Sequence, residues 1–170
     1  AQVVAAREQA ERDPVHAGQR MRPGLAHHAR DAAVEDFERS VSFNPEFGYT
    51  YFYLGNSLDN QFRAAKKGEA ENDSFLPKAV ENYRLAIDKL AGATDEQGRA
   101  FRKLSYEYLI AAYGSDKLDD FSKAEPVAKE LLAMDPNEPG NYQALAKLYE
   151  DQGRYDDAEA MFMKAVEVRP

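Results

Sequence analysis

The chain has no cysteine and only three histidines among 170 residues. Lacking cysteine, it has no disulfide framework, thiolate zinc site, iron–sulfur cluster or Cys nucleophile, although cytoplasm and periplasm both stay open as compartments. Positive charge is scarce as well: 22 Lys and Arg face 30 Asp and Glu, giving a formal net charge of -8 and a pI near 5.0. Phosphate binding calls for a concentrated basic face, so nucleic acid is not an expected partner. No apolar run approaches the ~20 residues of a membrane helix. No charged, then apolar, then small-residue leader opens the chain. The first residue is Ala1 rather than Met, which leaves a processed or incomplete N-terminus open.

The residues that usually carry chemistry are equally sparse. His16, His27 and His28 lie in a poorly patterned N-terminal region. His27 and His28 are adjacent, so they cannot form the i, i+4 ligand pair of a zinc helix. There is no Gly-rich phosphate loop, nucleophile elbow or Ser/His/Asp arrangement. We therefore expect no enzyme, no metal and no cofactor; the opposite reading would need a ligand at the three histidines. A chain of this length buries roughly 70% of its unfolded surface, enough to fold without staples.

What is abundant is self-similarity. The C-terminal stretch reads Tyr142, Leu145, Ala146, Tyr149, then Gly153, Tyr155, Ala158, Phe162, Ala165 and Pro170. These are two apolar stripes at helical spacing, separated by a Gly-containing turn and closed by Pro. The closing half recurs as Ala33, Phe37, Pro45 and as Ala124, Ala128, Pro136; Ala79 with Tyr83 is a copy without the Pro. The opening half recurs as Tyr51, Leu54, Gly55, Leu58 and as Tyr106, Leu109, Ile110, Tyr113. Each set occupies one helix face, with a small or mid-sized residue where a neighbouring helix comes close. Ala124 and Ala158 stand 34 residues apart.

This pattern resembles the tetratricopeptide repeat, a 34-residue helix–turn–helix unit. The resemblance covers residues 46–170 and is half present at 31–45. It implies an all-α, right-handed superhelical solenoid of antiparallel helix pairs, about three to four repeats with insertions. It also implies a non-catalytic protein–protein interaction module, with the first helix of each pair lining the concave side.

The departures are informative. Leu58 to Ala79 is twenty-one residues where Tyr149 to Ala158 is nine, so a twelve-residue insertion lies within Gln61–Ser74, as an exposed loop or a lengthened helix end. Tyr113 to Ala124 is eleven, a turn two residues too long. Thr94 to Gln97 has capping-box spacing, which predicts an early helix start at about Asp95. Pro126 falls inside an expected helix, tolerable near the first turn or with a kink. Helices are expected at about 1–12, 29–42, 46–61, 75–90, 95–113, 120–134, 139–152 and 155–168, with no strand. The chain then divides into an irregular or degenerate helical arm at 1–30, where Pro14, Gly18, Pro23 and Gly24 interrupt, a half repeat at 31–45, and repeats at about 46–91, 95–136 and 137–170.

Beside the core stripe of helix 46–61 runs Tyr49, Phe52, Asn56 and Asp59. Its aromatics either pack against the preceding helix or anchor a peptide in the groove. The matching positions are Leu104, Glu107 and Ala111, then Gln143, Lys147 and Glu150. Groove candidates are thus Tyr49, Phe52, Asn56, Glu107, Gln143 and Lys147. Chaperone-adaptor members of the resembled family clamp a C-terminal carboxylate; here Phe52 replaces a clamp Lys and Glu107 would repel the carboxylate. An apolar or basic protein segment is the expected ligand instead. Asp116, Asp119, Asp120 and Asp151, Asp156, Asp157 read either as caps and solvation or as an acidic rim steering a basic partner. Nothing covers the apolar side of helix 155–168, and solenoids normally carry a polar cap. Either more repeats follow in the parent protein, or Phe162, Val166 and Val168 contact another chain, a homo-oligomer included.

Overall fold

The computed structural model describes the backbone of residues 23–168 and the side chains of residues 31–168. The expected helix at 1–12, and His16, lie outside the described residues. Two units are distinguished, Ala1–Ala32 and Ala33–Pro170. The described residues hold seven α-helices and no strand: α1 Pro23–Phe43, α2 Gly48–Asp59, α3 Ala70–Lys89, α4 Glu96–Ala112, α5 Phe121–Met134, α6 Pro139–Asp151 and α7 Tyr155–Glu167.

Within the second unit, α2 pairs with α3, α4 with α5 and α6 with α7, and successive pairs stack through α3 on α4 and α5 on α6. The result is an all-α helical repeat solenoid. The stripes read from the sequence meet at these seams: Tyr51, Leu54, Leu58, Ala79, Tyr83, Ala86, Tyr106, Leu109, Ala124, Val127 and Leu131 share one buried cluster. Ala128, Leu145, Tyr149 and Ala158 form a second. Val34, Phe37 and Val41, on the part of α1 beyond Ala32, pack against the first cluster.

Gly55 is the clearest close approach. A Cβ there would lie 2.9 Å from the Tyr83 ring and 3.2 Å from the Ala79 carbonyl oxygen. Tyr83 is fully buried and has no room to yield. Gly55→Ala is therefore expected to cost about 1–3 kcal/mol in denaturant unfolding, the usual range for overpacking. Gly153 closes α6 with φ +69°, the left-handed conformation that suits glycine after a helix.

Several boundaries differ from the sequence-based expectation. α1 begins at Pro23 rather than near residue 29, because Pro at a first helical position loses no hydrogen bond and presets φ. α3 begins at Ala70 rather than 75, so the second half of the insertion is a lengthened helix start, while Ala64–Lys66 is a single 3-10 turn. Buried Asn72 holds this segment down: its Oδ1 accepts from the Arg63 N–H at 2.8 Å and its amide donates to the Arg63 carbonyl at 3.1 Å. The cap of α4 is Asp95 itself, accepting from the Gly98 N–H at 2.7 Å, rather than the Thr94 box. Pro126 lies in the second turn of α5.

The two departures from the 34-residue period turn out to be one structure. Lys117, in the long turn after α4, places Nζ at 2.7 and 2.8 Å from the two carboxylate oxygens of buried Asp59 at the end of α2. Lys67, in the insertion, donates to the Lys117 carbonyl at 3.1 Å. The insertion is thus tied to the next repeat rather than left as a solvated loop.

Candidate functional site

The site expected from the sequence is the face of α2, α4 and α6. On α2 the structure corrects one assignment: Phe52 is 7% exposed and belongs to the core. Its ring meets Phe101 edge-on at 5.2 Å, Tyr108 at 5.5 Å and Tyr53 at 5.6 Å, and tilts against Tyr83 at 6.2 Å. The cause is the early start of α4, which carries Phe101 across the position an anchor would occupy. Tyr49 is half-buried, edge-on to Phe101 at 5.1 Å and tilted against Phe47 at 5.1 Å. Burial and the neighbouring Asp95 carboxylate, which its hydroxyl bonds, hold the Tyr49 phenol above its ordinary pKa.

Two aromatics around Phe52 that reach solvent, Tyr53 and Tyr108, lie outside the stripe expected from the sequence. Tyr53 on α2 is 43% exposed and Tyr108 on α4 is 37% exposed, and both lean on Phe52. Tyr53 also stacks on Phe37 of α1 at 5.6 Å, nearly parallel, and meets Phe101 at 5.5 Å. Tyr108 is backed by Tyr83 at 5.8 Å. The result is a shelf with two open rings on an interlocked base, and edge-to-face contacts of this kind fix ring positions. Tyr53 and Tyr108 each stand two residues after the first stripe tyrosine of their repeats, Tyr51 and Tyr106, a coincidence of register that the sequence does contain.

The other candidates are less concentrated. Asn56 is half-buried and accepts from the Asn60 side chain at 3.0 Å. Glu107 is exposed beside Tyr108, with Lys103 at 3.9 Å. Gln143 and Lys147 are exposed on α6, and Lys147 is engaged with Asp151 at 2.8 Å and Glu150 at 3.8 Å. Among the described residues, no ring contact joins these two to the shelf. At the far end, Phe162 and Val166 are exposed, whereas Val168 is half-buried after the end of α7.

Three of the six aspartates have local partners. Asp120 caps α5 and bonds Ser122 and Lys123, Asp157 pairs with Arg154, and Asp151 with Lys147. Several carboxylates are held below their ordinary pKa: Asp95 by the Gly98 N–H, Asp120 by Lys123 and Ser122, Glu125 by Lys129 and then Tyr149, and Glu138 by the Gly140 N–H. A depressed carboxylate stabilises the fold fully above its unfolded pKa, near 4, and that contribution disappears as pH falls through the folded value. The Tm is accordingly expected to be flat from about pH 7 to 5 and to fall below about pH 4. Glu125→Gln should make that fall shallower.

Residues 117–170 match a family model described as Tetratricopeptide repeat. The solved structure of a thermophilic TPR protein from Thermus thermophilus superposes with a TM-score of 0.54 at 24% identity, over 86% of this chain and 69% of that one. Residues 117–170 belong to the tetratricopeptide repeat family, and the fold is that of a TPR protein. A pentatricopeptide repeat-containing protein of Arabidopsis thaliana is 31% identical over 125 residues, 68% of this chain and 22% of that protein. A putative second one is 26% identical over 104 residues, 57% of this chain and 24% of its own length. The chain thus spans about a quarter of the length of the curated relatives it matches. TPR modules are generally non-catalytic, and the fold supports a protein–protein interaction or scaffold role. No helix among the described residues is long and apolar enough to cross a membrane.

Proposed function

We propose that this chain is a non-catalytic, cofactor-free binding module that holds an apolar or basic protein segment against the aromatic shelf, with Tyr53 and Tyr108 as anchors. The observation that carries this reading is that the two rings stay open while their base, Phe52, is buried. Exposed aromatics with ordered support are the side chains that supply most binding energy at interfaces. Tyr faces attract cations, and Glu107 beside Tyr108 adds negative charge, so a Lys or Arg next to an apolar residue is the complementary ligand. Lys147 is already engaged by two carboxylates, and Glu107 would repel a C-terminal carboxylate. Tyr49 and Asn56 extend the shelf along α2; Glu107, Gln143 and Lys147 continue the wall along α4 and α6.

The test is a fluorescence titration with three labelled ten-residue peptides: alternating Leu and Lys, alternating Leu and Glu, and a neutral peptide with a free C-terminal carboxylate. The Leu/Lys peptide should bind most tightly, and Tyr53→Ser with Tyr108→Ser should weaken it at least about tenfold, or ~1.4 kcal/mol. Tighter binding of the free-carboxylate peptide would contradict the reading.

A second reading, favoured by the exposure of Phe162 and Val166, is association with another chain through α7, a second copy included.

A further inference from the structure

We infer that the cavity between the end of α3, the first two turns of α4 and the end of α5 binds a small organic carboxylate with an apolar body, held by Arg99, Arg102 and Lys103. No residue of the aromatic shelf lines this cavity, so the inference is independent of the peptide-binding reading.

The site follows from the way the second repeat starts. Ala91 and Gly92 stand where the preceding unit would close with Pro, and the Asp95 cap starts α4 early. α4 begins at Glu96, ten residues before Tyr106, whereas α2 and α6 begin at Gly48 and Pro139, three residues before Tyr51 and Tyr142. The added turns carry Glu96, Arg99, Ala100 and Arg102 past the ends of α3 and α5, and a cavity of about 520 Å³ lies between them. Its apolar lining is Leu90, which is buried, with Ala93, Ala100 and Met134. An apolar lining with a few placed charges, in a volume of roughly 300–1,000 Å³, is the usual form of a small-molecule site.

The charges select an anion. Arg99, Arg102 and Lys103 stand at i, i+3 and i+4, on one face of α4. They set three cations against the carboxylates of Glu96 and Asp135, in a chain whose formal net charge is -8. Among the described residues neither guanidinium pairs with a carboxylate, whereas Arg84 and Arg154 do. Arg99 donates to the Thr94 carbonyl and Arg102 to the Ile87 carbonyl at 3.3 Å, bonds that hold the side chains without neutralising them. Lys103 is held loosely, 3.5 Å from Glu138 and 3.9 Å from Glu107. Several carboxylates on these elements are engaged by backbone: Asp95 accepts from the Gly98 N–H, Asp135 from the Asn137 N–H at 3.3 Å and Glu138 from the Gly140 N–H at 3.1 Å. Glu96 complements the positive end of α4 from its first turn. Guanidinium forks match the two oxygens of a carboxylate.

The cations do not belong to the packing that the repeats share. In the register that places Tyr106 on Tyr51, the three positions are Asn44, Phe47 and Gly48; on Tyr142 they are Asp135, Glu138 and Pro139. Neither neighbouring repeat has a basic residue at any of them.

The test uses the full chain, with phenylpropionate as probe beside its neutral amide and the corresponding amine, phenylpropylamine. An amide NMR titration should show saturable binding of the carboxylate, with shifts at Ala93, Arg99 and Lys103 and none at Tyr53 or Tyr108. Ala100→Glu, an exposed substitution that places a carboxylate in the wall, should weaken binding at least about tenfold, as should Arg99→Gln with Arg102→Gln. Circular dichroism confirms that each variant stays folded. Equal binding of the amide or the amine would overturn the carboxylate, and binding that both variants leave unchanged would overturn the site. Binding of the alternating Leu/Glu peptide through these arginines, with no binding of phenylpropionate, would overturn the small ligand in favour of an acidic protein segment. Absence of both would overturn the inference and leave the shelf, tested with the Leu/Lys peptide, as it stands.

Discussion

Lys117→Met is expected to destabilise the chain by about 2–3 kcal/mol, read as a fall in Tm of roughly 4–12 °C. Asp59 lies in the buried end of α2, and Lys117 is the only cation among the described residues bonded to its carboxylate. The remaining partner among the described residues is the Tyr83 hydroxyl, which donates at a long 3.4 Å. Breaking a buried pair on one side costs about 3–5 kcal/mol because a charge is left without compensation; the lower figure here reflects a Lys117 side chain that is about a quarter exposed. The same logic gives the control. Asp59→Leu with Lys117→Met removes both charges, and well-packed apolar substitutes for a buried pair are often neutral, so the double variant should recover more than half of the loss. If Lys117→Met alone left the Tm unchanged, the tie between the insertion and the next repeat would be decorative.

Phe52→Ala is expected to cost about 3–5 kcal/mol, the range for deleting a buried aromatic. Tyr53, Phe101 and Tyr108 meet the Phe52 ring edge-on, and Tyr83 tilts against it. Removing it opens a void at the junction of α2 and α4 that rigid neighbours cannot close. Guanidinium unfolding should show the loss in the midpoint with the slope retained. A cost below about 1 kcal/mol would mean that Phe52 is not the base of the shelf.

The contrast between Phe52 and Tyr53 shows where sequence reading reached its end. Helical period placed Tyr51, Leu54, Gly55 and Leu58 on the core face, and the close approach at Gly55 follows from the repeat itself. Periodicity alone left Phe52 open between core and groove. What decides it is Phe101, forty-nine residues away, delivered by an α4 that starts early, and a non-local contact of this kind has no signature in a local pattern. Tyr53 and Tyr108 were legible in principle, because they share a repeat position, but aromatics one residue beyond a stripe are easily assigned to solvent. Lys117 was hidden for a similar reason. An over-long turn and a polar insertion each look like tolerated irregularities until the fold brings Lys67, Lys117 and Asp59 together. The α7 face was visible from the start, since the register that buries Tyr83 and Ala128 places Phe162 at the same position with nothing described over it.

The central claim is a division of labour within one aromatic cluster: Phe52 holds the repeats together, and Tyr53 with Tyr108 holds the ligand. The most direct measurement pairs thermal unfolding with Leu/Lys peptide affinity for the natural chain and for Tyr53→Ser with Tyr108→Ser. The affinity is expected to fall by at least about tenfold, with stability changed by no more than about 1 kcal/mol per site. Unchanged affinity, or a collapse in stability matching that of Phe52→Ala, would contradict that division.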